Sequence, residues 1–322
     1  MLPGLPVIAP NPMGLNEKRV DDIPRAPNVM KNLQVKLAEV VISAVGGDGC
    51  PHFRLPPAYQ PFLVEGLRPD ITLRVHYGDI PDLPLGEKIF HSGGVWNLYR
   101  QADKYQMVMT KFTPGSRPYR LAVFDDTFTS GEVYIQRETT AANPKPAAFV
   151  DPLEHPLDQF LTAAFLARGG LGVIMHACGV SDQERGLAFC GVSEAGKSTL
   201  AKLWKDTSAT VLTDERLIIR RVDGRFWVYG TPWVGDANIF SPEEAILEKL
   251  FIIRHSAKNS IQPLSSPEAT SQLLVRSFPP FFDQVGMQNI LELLAQIAEM
   301  IPCYDLSFFP DRDIIDLVRL WQ

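Results

Sequence analysis

Residues 191–204 read GVSEAGKSTLAKLW, in which Gly191, Gly196, Lys197 and Ser198 fit the phosphate-loop pattern G-x-x-x-x-G-K-[ST]. The pattern constrains the fold because it needs a strand before it, a tight glycine turn and a helix after it. The flanks supply both elements. GLAFC is an apolar run suited to a short strand, and KSTLAKLWK suits a helix of about two to three turns. In that geometry consecutive backbone N–H groups point at one anion. The expected cofactor-binding residues are therefore Gly191, Ser193, Ala195, Gly196, Lys197, Ser198 and Thr199. Lys197 would reach the β and γ phosphates of a nucleotide, and Ser198 would ligate Mg2+. Glu194 is an acid in a loop built for anions. It holds the third variable position, where the backbone N–H matters more than the side chain, so it is expected to point outward as a spectator.

Composition narrows the alternatives. Of 322 residues 45% are hydrophobic and 21% charged, which suits a soluble globular chain of two domains or one large one. The net charge is −6 with no basic run, so nucleic acid is not an expected ligand. The first residues lack the basic and apolar regions of a signal peptide. The longest apolar stretch, GGLGVIMHACGV, is too short to span a bilayer, so no membrane partner is expected. Cys50, Cys178, Cys190 and Cys303 form no C-x-x-C pair, which argues against a disulfide framework or zinc site and for free thiols in the cytoplasm.

Along the chain, residues 1–29 are rich in Pro and Asn and read as a flexible arm. Residues 30–150 read as a β-rich N-terminal lobe. The runs ITLRVHY, VWNLYR, YQMVMTKF, YRLAVFD and EVYIQRE, broken by turn residues, suggest a β-meander. The proline-bearing linker TTAANPKPAAFVDPLEHP leads into the nucleotide-binding domain expected over 151–322. There LDQFLTAAFLAR reads as a helix, LGVIMHACGV as a strand, and LIIRRVDGRFWVYG as a hairpin turning at Asp223-Gly224. PEEAILEKL, with Pro242 at its first turn and acids near its start, reads as a helix. PEATSQLLVRSF and DQVGMQNILELLAQIAEMI read as further helices, and CYDLSFFPDRDIIDLVRLW as a strand and a helix.

Asp214 follows Lys197 by only 17 positions, at the end of the apolar run ATVLTDE. So short a crossover favours a compact α/β (α+β mixed) core with antiparallel pairing beside the loop. Asp214 and Glu215 would then emerge near the phosphates. One carboxylate can hold Mg2+ while the other takes a proton from an attacking hydroxyl. Trp233 in GTPWVGD either walls a pocket or packs a turn, and Asp236 and Arg276 are set aside as further metal and phosphate partners.

In this order VIMHA, GVSEAGKST, VLTDE and VYGTPWVG resemble the catalytic domain of the HPr kinase/phosphorylase family, and more closely the HprK-related serine kinase-like proteins, over roughly 155–322. The resemblance implies a P-loop-containing HPr kinase/phosphoenolpyruvate carboxykinase-like core and takes in the β-rich 60–150 segment more loosely; separately, the β-rich lobe is expected to pack closely on the core. It implies Gly191, Gly196, Lys197 and Ser198 as phosphate and Mg2+ elements. It places Asp214-Glu215 on the family's Asp-Asp pair, which supplies a base and a metal contact. It places His176 on the active-site His of an HG motif, here HA. The catalytic set so implied is Asp214, Glu215, His176 and Lys197, with Ser198 and Asp214 on the metal; whether Asp214 or Glu215 is the base stays open. No EVRGLG-like segment is present, so neither HPr as substrate nor the reverse phosphorolysis carries over.

The expected activity is a cytoplasmic, Mg2+- and ATP- or GTP-dependent kinase that phosphorylates a hydroxyl, a serine of a peptide or protein being the first choice. A small-molecule kinase and a nucleotide-binding regulatory or scaffold protein with little turnover are the alternatives. A carboxykinase would need a second metal site with Lys and His ligands, which the sequence does not assemble. A homo-oligomer is left open.

Overall fold

The computed structural model describes residues 30–111, 117–137 and 147–321. The arm expected over 1–29 and the first part of the proline-bearing linker, residues 139–146, lie outside these residues.

The first half opens on a hairpin of β1 (Asn32–Leu37) and β2 (Val40–Gly46), joined by Ala38-Glu39. Both turn residues have positive φ, 46° and 63°. That is the mirror-image turn whose twist matches two antiparallel strands. There follow β3 (His52–Phe53), β4 (Leu63–Val64), β5 (Ile71–Gly78), β6 (Glu87–His91), β7 (Trp96–Gln101), β8 (Lys104–Thr110), β9 (Pro118–Phe124) and β10 (Ser130–Gln136). Apart from β3, they form one nine-stranded sheet in the order β4-β1-β2-β5-β10-β9-β8-β7-β6. The expected meander holds from β6 to β10, but β5 lies parallel to both β2 and β10. Ile71, Leu73 and Val75 of β5 are wholly buried, which suits a central strand. Pro81 and Pro84 in the next segment prevent a tight hairpin, and the chain crosses to the far edge to begin β6.

The second half comprises β11 (Phe149–Val150), α1 (Leu157–Arg168), β12 (Gly172–Asp182), β13 (Arg185–Cys190), α2 (Lys197–Lys205), β14 (Thr210–Thr213), β15 (Arg216–Val222), β16 (Arg225–Tyr229), β17 (Glu244–His255), β18 (Ser260–Pro263), α3 (Ser266–Val275), α4 (Gln284–Met300), β19 (Cys303–Phe308) and α5 (Asp313–Leu320). The chain is thus a mixed α/β, strand-rich protein. β12 pairs antiparallel with β13, β14 and β15. β15, β16 and β17 continue the sheet, and β17 returns to pair in parallel with β13, so these strands close a circuit. α3 begins at a capping box of Ser265 and Glu268, and α4 at Asp283, whose carboxylate accepts the Gly286 amide at 3.1 Å.

One expected element is overturned. The run PEEAILEKL is not a helix but the start of β17, a strand of 12 residues. β13 ladders one edge while β16 and β19 ladder the other, and Leu250, Phe251, Ile252 and Ile253 are buried on both faces. Full pairing and two covered faces outweigh the local helix-start signals of Pro242 and its acids.

Three clusters of buried side chains meet along β12. Ile174 joins the cluster under the first sheet, Val173, Met175 and Ala177 join one against α3 and α4, and Cys178 and Val180 join one under α2 and α5. Strand alternation puts residues 174, 176 and 178 on one face. His176 therefore stands where the first and third clusters meet.

Candidate functional site

The loop between β13 and α2 is shaped by two close approaches. A Cβ on Gly191 would come 2.7 Å from Ile253 Cγ1, and one on Gly196 would come 2.8 Å from Phe308 Cε1. Gly196 also has φ 99°, a conformation open to glycine. Gly191 N–H donates to His176 O at 3.1 Å and Ala195 N–H to Val192 O at 3.2 Å. Glu194 sits in left-handed backbone, φ 64°, with its side chain exposed, while its carbonyl accepts from His255 Nε2 at 2.8 Å. Its contribution to the loop is through the backbone, as expected. Ser193 and Thr199 are exposed, Ser198 half-buried and Ala195 buried. The amides of Glu194, Gly196, Lys197, Ser198 and Thr199 find no acceptor among the described residues. They sit at the positive end of α2, which is held down by Leu200, Ala201 and Trp204. A helix of nine residues is not stable alone, so that buried face fixes the loop.

Lys197 and Glu215 meet at this loop. Lys197 is almost wholly buried; its Nζ donates to Val192 O at 3.1 Å and lies 3.7 Å from Glu215 Oε2. Glu215 Oε1 lies 2.8 Å from His176 Nε2. Burial, the largest influence on Glu215, pushes its pKa up, but the hydrogen bond from His176 and the charges of Lys197, His176 and Arg216 together bring it down to about 2. Burial lowers the pKa of His176, with Lys197 and Arg216 adding to that effect and Glu215 opposing it. The pair is therefore a neutral imidazole donating Nε2–H to an anionic carboxylate. Burial likewise lowers the pKa of Lys197, with Glu215 opposing.

Asp214 is arranged differently from the expectation that it faces a metal. It is fully buried, and its two oxygens accept the amides of Gly235 at 2.9 Å and Ala237 at 2.8 Å. Adjacent residues at a strand end point in different directions. Here Glu215 is brought to Lys197 and His176, while Asp214 shapes the 235–237 turn. Glu215 stays in touch with that turn, since a Cβ on Gly235 would lie 3.1 Å from its Oε2. Among the described residues no group of three or more His, Cys, Asp or Glu converges as a metal cage. Trp233 packs rather than walls a pocket: it is 5% exposed and its Nε1 donates to Asp158 Oδ2 at 2.6 Å. Tyr59 OH donates to the same oxygen, so Asp158 joins the first sheet's segment to the 230–237 loop. Arg276 is buried against α3, its Nη1 bonded to Gln272, and its carbonyl accepts the His176 amide at 2.7 Å.

Two residues at the site had no sequence signal strong enough to single them out. Asp158 looks like an ordinary first-turn acid of α1. Arg216 follows the Asp-Glu pair directly, and only the register His176↔Arg216 across β12 and β15 brings it to this cluster. Two surface clefts lie elsewhere, one on the outer face of the first sheet by Arg74 and Glu132, the other by Lys36, Glu39 and Glu244. The four cysteines are free and buried, and among the described residues no helix is long and apolar enough to cross a membrane.

No family model and no curated protein matches the sequence. Among solved structures, the Hpr(Ser) kinase/phosphatase from Coxiella burnetii aligns with 46% of this chain and 96% of its own, at 8% identity and a TM-score of 0.28. A likeness this loose assigns no activity, and the residues around the loop must carry the reading.

Proposed function

We propose that the protein is a phosphotransferase that uses Mg2+ and ATP or GTP to phosphorylate a hydroxyl, on a small molecule or on a serine of a peptide or protein. The observation that supports it is the meeting, around one loop, of unengaged amides, a buried lysine and a carboxylate kept anionic. The donors suit the group. Amides and an ammonium match phosphate oxygens, and the Ser198 hydroxyl is a hard oxygen ligand of the kind Mg2+ takes. Bound Mg-nucleotide would supply a γ-phosphoryl with its charge partly neutralised.

The residues would divide the work as follows. Lys197 would exchange the Val192 carbonyl for phosphate oxygens, which would release Glu215 Oε2. His176 holds the other carboxylate oxygen and so fixes the orientation of the group. Glu215 would then accept a hydrogen bond from the acceptor hydroxyl and aim it at the phosphorus. The acceptor oxygen would form the new P–O bond as the bond to the diphosphate breaks, and its proton would leave through Glu215. A carboxylate with a pKa of about 2 is a weak base. That suits a loose transition state, in which positioning counts for more than early deprotonation. Asp214 would act through the 235–237 turn.

Glu215→Gln tests this. The kinase reading expects transfer, or the slower hydrolysis, to fall by about 100-fold or more with nucleotide affinity changed only a few-fold. The second reading, a regulatory nucleotide-binding protein, draws on Asp214 being closed off, which leaves one carboxylate at the loop. It expects saturable binding with no turnover in wild type or variant.

A further inference from the structure

Arg216 is the cation that the phosphate loop leaves unexplained. It opens β15 and stands directly opposite His176 in the antiparallel register, so the two side chains leave the sheet on the same side. Phe278 lies against both, its ring centroid 6.3 Å from that of His176 and 5.4 Å from the Arg216 guanidinium. The Arg216 Nε is buried with no acceptor. Among the described residues no carboxylate lies within ion-pair distance of the guanidinium.

Neither of its two candidate counter-ions pairs with it. Glu215 has both oxygens engaged: it gives Oε1 to His176 and faces Lys197 with Oε2. Asp158 gives Oδ2 to Tyr59 and Trp233, and its Oδ1, buried without a hydrogen bond, forms no ion pair with the guanidinium. Arg216 is half-buried, and a guanidinium nitrogen buried without an acceptor is costly to hold. The planar fork of the guanidinium matches a carboxylate or phosphate.

Position gives the cation its meaning. Lys197 lies on the α2 side of Glu215, near the buried neutral thiols of Cys178 and Cys190. Arg216 lies on the side of the first sheet, where Asp158 and Phe278 belong. Two cations thus bracket one carboxylate, and nucleotide phosphates account for the one at the loop. Resting on the phosphotransferase reading above, we propose that Arg216 binds an oxyanion of the phosphate acceptor, which is therefore a hydroxyl compound carrying a carboxylate or phosphate close to the hydroxyl it presents to Glu215.

The test is calorimetry on protein saturated with Mg2+ and a non-hydrolysable imido analogue of ATP. Inorganic phosphate is titrated in one series and glycolate in another, at constant ionic strength, into wild type, Arg216→Gln and Arg216→Lys. The expected result is one further oxyanion bound by wild type, about tenfold or more weaker in Arg216→Gln and partly restored in Arg216→Lys, with analogue affinity held within about threefold. Whichever probe binds tighter tells phosphate from carboxylate. Equal oxyanion affinity in wild type and Arg216→Gln, or none in wild type, would overturn the proposal and leave Arg216 as a structural partner of Asp158. Loss of the analogue in Arg216→Gln would overturn it too, by assigning the guanidinium to the nucleotide. Failure of wild type to bind the analogue is a separate result; it removes the phosphotransferase reading and the acceptor site with it.

Discussion

The junction around Asp158 and the cluster around Glu215 are built from the same kinds of part, yet one is a closed joint and the other stands beside unengaged amides. Asp158 is 2% exposed and is held by two rigid neutral donors, the Tyr59 hydroxyl and the Trp233 indole, one from each half of the chain. Glu215 has a side chain 23% exposed and is held by a lysine and a neutral histidine, beside a row of unengaged amides. Fixed aromatic donors have no better partner to turn to. A lysine resting on a loop carbonyl would, were phosphate oxygens to reach it as proposed. Asp214, although next to Glu215 in the chain, belongs with Asp158: its carboxylate is spent on two backbone amides.

Mutations should separate the two kinds of carboxylate. Asp158→Ala leaves the buried Tyr59 hydroxyl without its acceptor and the Trp233 N–H with only the Tyr59 oxygen, and should cost about 2–3 kcal/mol of stability in urea unfolding, with nucleotide affinity little changed. Asp214→Ala strands the Gly235 and Ala237 amides and should cost about 2–4 kcal/mol, Asp214→Asn about half that. If Asp214→Ala is stable but fails to bind Mg-nucleotide, the placing of Asp214 with the joint is wrong.

Acid unfolding sharpens the contrast. The folded-state pKa of Glu215 is depressed from 4.5 to about 2, so its stabilisation is present above pH 4.5 and is lost as pH falls through about 2. It is worth at most about 3 kcal/mol, before any allowance for solvent screening. His176 is depressed below 6.5, chiefly by burial, so below that pH the unfolded chain takes up protons that the folded chain resists, and stability falls. Both effects run the same way. Stability should decline from about pH 6.5 downward, and Glu215→Gln should flatten the part below about pH 4.5. The smallest effect is expected at Glu194, exposed and acting through its backbone: Glu194→Ala should stay within about 0.5 kcal/mol and leave nucleotide affinity nearly unchanged.

What was legible in the sequence was local. The glycine loop, the helix over 197–205 and the hairpin at Asp223-Gly224 each depend on a few adjacent residues, and each forms where the pattern puts it. The β17 strand was hidden because its first residues carry helix-start chemistry, while its strand character comes from β13, β16 and β19 on either side. The choice between Asp214 and Glu215 was hidden for a similar reason, since neighbours at a strand end diverge and only the 235–237 turn shows which was claimed. Arg216 needed the β12–β15 register, and Trp233 needed Asp158, a partner 75 positions away.

The most direct test of the central claim is calorimetric titration of Mg-ATP, with and without EDTA, into wild type and Lys197→Ala. The account predicts saturable, metal-dependent binding by wild type and a loss of about 100-fold or more in Lys197→Ala. Equal binding by both proteins, or none by wild type, would contradict it, and the loop from Gly191 to Ser198 would then be a strand-to-helix turn with no phosphate to hold.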